Sequence, residues 1–242
     1  PYTTLFRSYV EGPGLDVETA EQYFGAVVTD EAVEDADGVV TSYTAPDLTD
    51  VDLVLVGMTS PNNGSNFTSA GQDAETGAWY PLSLQYRPYT ADGENVREVS
   101  ISGDILPDGT QENRSYLGAT SRIANESALD SFERATAAVE ASGKDIPVIT
   151  LLKAKNPTVP TEFEAASDAI LVGFGISDQA LIEVALGLHE PQGRLPIGFP
   201  ASMDAVEAQL EDVGEDTEPY VDSAGNAYEF GFGLSYSGPI TD

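Results

Sequence analysis

Short apolar runs bounded by turn residues punctuate this chain. Residues 50–57 (DVDLVLVG), 147–152 (PVITLL) and 168–172 (DAILV) are rich in β-branched residues and leucine and too short for helices. Such runs predict strands buried on both faces. Residues 9–12 read as a further extended stretch, stopped by Gly12-Pro13-Gly14. Residues 26–29 read as a strand, 17–24 as a short helix and 31–36 as a second helical stretch. From Asn125 the period turns helical. Ser127 and Asp130 suit a capping box, Leu129, Phe132, Thr136 and Val139 share one face, and Gly143 ends the run. Ser177 suits the cap of a helix reaching Leu188, with Leu181, Val184, Ala185 and Leu188 facing inward. Residues 161–166 and 203–210 predict short helices, and 195–199 a last strand that Pro196 would place at an edge. Strand and helix alternating at this spacing predict an α/β fold: a three-layer αβα sandwich with a mainly parallel sheet. Ligands in such folds sit at the C-terminal ends of the strands, here the loops after Val56, Leu152 and Val172.

Residues 59–118 break the pattern. They are rich in Gly, Asn, Ser and Pro, carry Trp79, Tyr80, Tyr86, Tyr89 and Tyr116, and show little helical period, with one further strand expected at 96–102. An irregular stretch of this length inside a compact domain is usually a functional loop.

Charge narrows the function classes. The 242 residues include 41 acidic and 10 basic ones, for a net charge of −31. That excess repels nucleic-acid phosphates and anionic membrane surfaces, so neither is an expected partner. No window approaches the roughly 20 apolar residues needed to span a bilayer. The acids are scattered, as in Glu207, Glu211, Asp212, Glu215, Asp216 and Glu218, which reads as a solvated surface and also fits adaptation to high salt. With no Cys and a single His189 beside Glu190, neither a metal site nor a Ser-His or Cys-His nucleophile is expected. Gly173-Phe174-Gly175 follows a strand and opens a helix as dinucleotide loops do, but Asp178 stands at the third glycine position and would repel a pyrophosphate. No cofactor is expected. The first eight residues, PYTTLFRS, are the translation of CCC TAC ACG ACG CTC TTC CGA TCT, the end of a widely used sequencing adapter. Residues 1–8 are therefore expected to be an artefact and are set aside from fold reasoning, which leaves the compartment open.

The C-terminal third carries the most specific pattern: DAILVGFGISDQALIEVALGLHEPQGRLPIGFP, then AYEFGFGLSY. At residues 168–172, 180–187, 191–200 and 228–236 the chain resembles the C-terminal domain of family 3 glycoside hydrolases, whose members read ADAILVAW…NPSGRLPVTFP and YPFGYGLSY there. The resemblance extends over residues 9–242, strong after about residue 145 and weak in the long loop region.

That resemblance implies a piece of a two-domain enzyme. In the family a barrel comes first and carries a nucleophilic Asp; the sandwich follows, covers the pocket and often supplies the acid/base. The implied reaction is retaining, exo-acting hydrolysis of a β-glucoside or oligosaccharide, by two carboxylates about 5–5.5 Å apart. The chain has no room for the barrel, so alone it is expected to be inactive. Family members often show a Glu shortly before an Asp-Arg pair in a loop after an early strand. The nearest match is Gln111-Glu112-Asn113-Arg114, with Asn in place of Asp, which makes Glu112 the first candidate acid/base and Glu75 and Asp73 the alternatives. A working acid needs a pKa raised by burial or by a second carboxylate. Trp79, Tyr80 and Tyr86 are candidates to stack on sugar faces or to hold the loop down, and Arg114 to bind a hydroxyl or orient a carboxylate. A non-catalytic carbohydrate-binding or scaffold domain of the same fold is the alternative.

Overall fold

The computed structural model describes residues 6–64, 71–210, 212–214 and 216–240. Residues 1–5 of the expected artefact, and Glu211 and Glu215 of the acidic surface, lie outside them. Five parallel strands form one sheet: β1 (Arg7–Glu11), β2 (Ala26–Val28), β5 (Leu53–Thr59), β6 (Val148–Ala154) and β7 (Ala169–Phe174). Their order is β2-β1-β5-β6-β7, with Tyr9 opposite Val54, Val56 opposite Thr150 and Leu152 opposite Val172. Arg7 and Ser8, set aside with the N-terminal stretch, open the interior strand β1, where Ser8 is buried.

Alternation along the strands builds two cores. Tyr9, Val54, Val56, Met58, Val148 and Leu152 face α2 (Ser127–Ser142) and pack with its Leu129 and Phe132. Val10, Leu55 and Leu151 face the opposite side, against Ala20 of α1 (Val17–Glu21) and Leu181 and Ile182 of α3 (Asp178–Ala185). The result is the expected three-layer sandwich. A small third core joins Tyr89, Ala91 and Val96 of the loop region to Val159 and to Met203 of α4 (Met203–Ala208).

Several local expectations fail for identifiable reasons. Residues 31–36 are not helical: β3 (Glu31–Glu34) and β4 (Val40–Thr44) form an exposed antiparallel hairpin. The Asp35 carboxylate accepts from the amides of Asp37 and Val39, and Gly38 takes φ 78°, so a tight turn outcompetes the helix. The capping box is absent. Ser127 already lies inside α2, the cap residue Glu126 makes no side-chain capping bond, and the Asp130 carboxylate is drawn to Arg87. Residues 96–102 form no strand, and 161–166 resolve into two 3₁₀ turns, Pro160–Glu162 and Glu164–Ala166. Residues 195–199 do not join the sheet; Leu195 and Phe199 donate their amides to Phe232 and Tyr228 of the C-terminal segment. That segment includes the short pair β8 (Leu234–Ser235) and β9 (Gly238–Pro239). α3 stops at Ala185 because Gly187 turns at φ 72°, which leaves Leu188 exposed rather than facing inward. Among the described residues, no helix is long and apolar enough to cross a membrane.

In the strand order 2-1-3-4-5, counting the sheet strands alone, the order reverses between β1 and β5, where open α/β sheets hold their ligands. Here that crevice is filled by the chain itself. The loop Gly12-Pro13-Gly14 lies on the β5 backbone, with the Gly14 amide donating to the Gly57 carbonyl at 2.9 Å. A Cβ added at Gly14 would sit 2.5 Å from the Met58 nitrogen, and one at Gly57 would sit 2.3 Å from the Leu15 Cβ. The start of α3 is occupied as well: Ser177 caps it, and the Asp178 carboxylate takes the Asp16 amide and the Lys153 ammonium. Both places that a nucleotide phosphate would use are thus closed by protein groups.

Candidate functional site

The residues singled out by sequence come together in the irregular loop that joins β5 to α2 at the C-terminal edge of the sheet. Its ends are tied by one side chain. Asn125 Nδ2 donates to the Thr59 carbonyl, the Thr59 hydroxyl and the Ser60 carbonyl, while Asn125 Oδ1 accepts from the Asn62 amide. Midway, the chain bends at residues 84–87, which divides the loop into a first arm and a second arm, and the second arm folds back on itself. The Ala91 amide donates to the Ala119 carbonyl, the Ser121 amide to the Tyr89 carbonyl, and Thr90 faces Thr120 across an antiparallel bridge.

Where the arms meet, aromatic rings of the first receive guanidinium groups of the second. Arg114 lies 4.9 Å from the Trp79 ring centre, and Arg122 lies 3.9 Å from that of Tyr80. Arg114 also donates from Nε to Glu112 at 2.6 Å and from Nη2 to Asp104 at 2.7 Å. Arg122 reaches Asp73 at 3.3 Å, and the Tyr80 hydroxyl donates to the same carboxylate. Glu112 and Arg114 thus gather on Trp79, Arg122 and Asp73 gather on the adjoining Tyr80, and Glu75 sits exposed on the turn that Asp73 organises.

The three candidate carboxylates differ in chemistry. Asp73 accepts from Tyr80, from the Thr76 hydroxyl and from the amides of Glu75 and Thr76, which drive its pKa far below the carboxylate range. That suits a brace for residues 73–80. Glu112 is lowered by its hydrogen bond to Arg114, outweighing the opposing effect of desolvation, so here it is an ionised base rather than a proton donor. Of the two roles open to it, Tyr86 takes the packing one. It is fully buried, edge-on to Phe163 at 6.3 Å between ring centres, with its hydroxyl donating to the Thr59 carbonyl.

One carboxyl that sequence reading assigned to the solvated surface is placed otherwise. Glu207 on α4 is half-buried beneath the second arm and accepts from the Tyr116 and Tyr89 hydroxyls. Burial pushes its pKa above the ordinary glutamate range. It lines a cavity of about 170 Å³ with Gly93, Glu94, Asn95 and Asp204. Its helical neighbours Met203 and Val206 pack toward the loop, a signal that residues 203–210 have an inward face. Among the described residues, no group of His, Cys, Asp and Glu is arranged to hold a metal ion.

The C-terminal signature has a structural job. Tyr228 stacks on Phe232 at 5.3 Å, meets Tyr220 edge-on at 5.4 Å and packs against the α2-side core. Tyr236 ties back to the carbonyls of Val184 and His189. The model of the glycosyl hydrolase family 3 C-terminal domain matches residues 111–236, just over half of the chain. The chain belongs to that family. The family 3 match thus takes in the end of the loop's second arm from residue 111, with Glu112 and Arg114, as well as the signature. Over 94 residues the chain is 37% identical to a probable beta-glucosidase C of Aspergillus flavus, covering 39% of this chain and 14% of that protein. Beta-glucosidase C of Emericella nidulans is 37% identical over 91 residues, covering 38% of this chain and 14% of the relative. A periplasmic beta-glucosidase/beta-xylosidase of Dickeya chrysanthemi is 32% identical over 100 residues, covering 41% and 14%. Each match therefore spans only 14% of the relative's own length.

Proposed function

We propose that this chain is the sandwich domain of a retaining, exo-acting β-glycosidase of β-glucosidase type. It lays the loop between β5 and α2 over a pocket whose nucleophilic Asp lies on a barrel domain encoded upstream. The observation that carries this reading is the convergence of Glu112, Arg114, Trp79 and Tyr80 from two arms of one loop that runs into the family 3 match at residue 111. The names of the matched relatives point to a β-glucoside or related oligosaccharide as substrate. Exposed apolar side chains on the same loop, Val99, Ile101, Ile105 and Leu106, fit a surface that another domain covers.

Within this reading Glu112 is the acid/base. Its ion pair with Arg114 suits the second half of a retaining cycle, where an ionised carboxylate activates water. Proton donation in the first half requires that Arg114 let go or that the nucleophile's charge approach, either of which raises the pKa of Glu112. The test is Glu112→Ala in the whole open reading frame. Hydrolysis of cellobiose should fall by about 10²–10⁴-fold, while an aryl glucoside with a good leaving group should be far less affected in its first step. Equal losses on both substrates exclude Glu112 as the acid. If the upstream reading frame encodes no barrel, the alternative of a carbohydrate-binding or scaffold domain takes over.

A further inference from the structure

The arm that carries Trp79 and Tyr80 is joined to the arm that carries Glu112, Arg114 and Arg122 through a bend at residues 84–87, and that bend is held by a side chain from outside the loop. Glu162 stands on the 3₁₀ turn Pro160–Glu162 that follows β6. Its Oε2 accepts from the Tyr86 amide at 2.6 Å, and its Oε1 accepts from the Arg87 amide at 2.8 Å. Two consecutive backbone amides thus share one carboxylate, each with its own oxygen. Around this grip the Tyr86 hydroxyl reaches the Thr59 carbonyl, and the Arg87 guanidinium reaches Glu126, Asp130 and Glu133 along α2 at 2.6–2.8 Å. Trp79 and Tyr80 lie on the arm before this bend; Glu112, Arg114 and Arg122 lie on the arm after it.

We propose that Glu162 is the positioning residue of the candidate site: by holding the Tyr86 and Arg87 amides it fixes the bend between the two arms, and with it the placement of Trp79 under Arg114 and of Tyr80 under Arg122. This rests on the reading that the loop between β5 and α2 carries the site. The carboxylate form is the one that works. Backbone amides only donate, so both oxygens must accept, and an amide side chain would turn an NH₂ group toward one of them. The groups facing Glu162 pull its proton affinity in opposite directions. Burial raises its pKa above the ordinary range, with Glu133 adding to the rise, while the Tyr86 and Arg87 amides and the Arg87 charge oppose it.

The test uses the 242-residue chain, in which Trp79 is the single tryptophan and so reports the cross-arm stack directly. Glu162→Gln should leave the far-ultraviolet circular dichroism of the sandwich intact, shift Trp79 emission to the red and raise its quenching by acrylamide about twofold. Glu164→Gln, one 3₁₀ turn further on, removes a carboxylate that accepts from Tyr220 at 2.8 Å and should leave Trp79 unchanged. A folded Glu162→Gln chain with unaltered Trp79 emission and quenching overturns the proposal, as does an equal response to Glu164→Gln. If Glu162→Gln fails to fold, hydrogen exchange of the unaltered chain decides. Protected Tyr86 and Arg87 amides support the role, and exchange at the rate of free amides overturns it. None of these readouts needs a sugar, so a chain that binds no glucoside would count against the glycosidase reading and leave this one to stand or fall separately.

Discussion

Each carboxylate of the loop region is set by its immediate donors rather than by its place in the sequence. Asp73 and Glu112 sit among amides, hydroxyls and guanidinium groups, and their pKa values fall; Glu207 sits among two phenols and packed side chains, and its pKa rises by burial. A raised pKa in the folded state has a definite sign. The stability it contributes is fully present below the unfolded value of about 4.3 and is lost as pH rises through the folded value. Ionised Glu207 is therefore a burden at neutral pH. Glu207→Gln should melt higher than the parent at about pH 7.5, and the difference should vanish by about pH 4, where both side chains are neutral. The amide suits this position because the Tyr89 and Tyr116 hydroxyls can rotate to accept as well as donate, which the backbone amides facing Glu162 cannot. A melting difference that persists at low pH would mean that packing, not charge, governs the site. Asp73 and Glu112 take their main donors from within seven residues, as the nearness of Arg114 to Glu112 suggests, whereas the settings of Glu207 and Glu162 were not legible in the chain, because Glu207 meets Tyr116 across 91 residues and Glu162 meets Tyr86 across 76.

At the level of elements, legibility followed the apolar period. Strands β5, β6 and β7 and helices α2 and α3 were evident because burial on both faces of a sheet, or along one stripe of a helix, imposes a pattern that few sequences show by chance. The β3–β4 hairpin was misread because all of its residues are exposed, so no buried face imposed a period, and Glu31 and Glu34 looked like the polar side of a helix. The deciding signal was the Asp37-Gly38 turn. The loop cluster was located by composition, but its pairings were not, since arms meeting through isolated bridges leave no repeating pattern. The glycines at the edge of the sheet give the sharpest test of element packing. Gly57 lies on β5 opposite Leu151 of β6, where its missing Cβ makes room for Leu15. Gly57→Ala should cost about 1–3 kcal/mol by overpacking, whereas Gly214→Ala, with no atom near the added carbon, should stay within about 0.5 kcal/mol. Urea denaturation of both variants checks this; equal midpoints would mean that the Gly12–Leu15 loop yields without strain.

For the whole molecule the governing quantity is charge. With 41 acidic and 10 basic residues, most carboxylates have no cation to meet, and the cations present are concentrated in a few clusters such as Arg87 with Glu126, Asp130 and Glu133. Salt acts on both populations. It weakens ion pairs, but those of Arg87 are 34–54% exposed and each contributes little in water, so their loss is small. It also screens the mutual repulsion of the remaining acids, which disfavours the compact state over the expanded one. Repulsion is the larger sum, so the melting temperature should rise between about 0.1 M and about 2 M KCl, by roughly 5 °C or more if a few kcal/mol are recovered. The shape of the rise separates two causes. Screening is nearly complete once the Debye length falls from about 10 Å to about 3 Å, near 1 M salt, so a plateau by then marks simple relief of repulsion. A melting temperature that keeps climbing to about 2 M marks a surface whose carboxylates bind hydrated cations in the folded state, as high-salt adaptation requires. A flat or falling curve excludes both, and would leave the acidic surface without a stabilising role for salt.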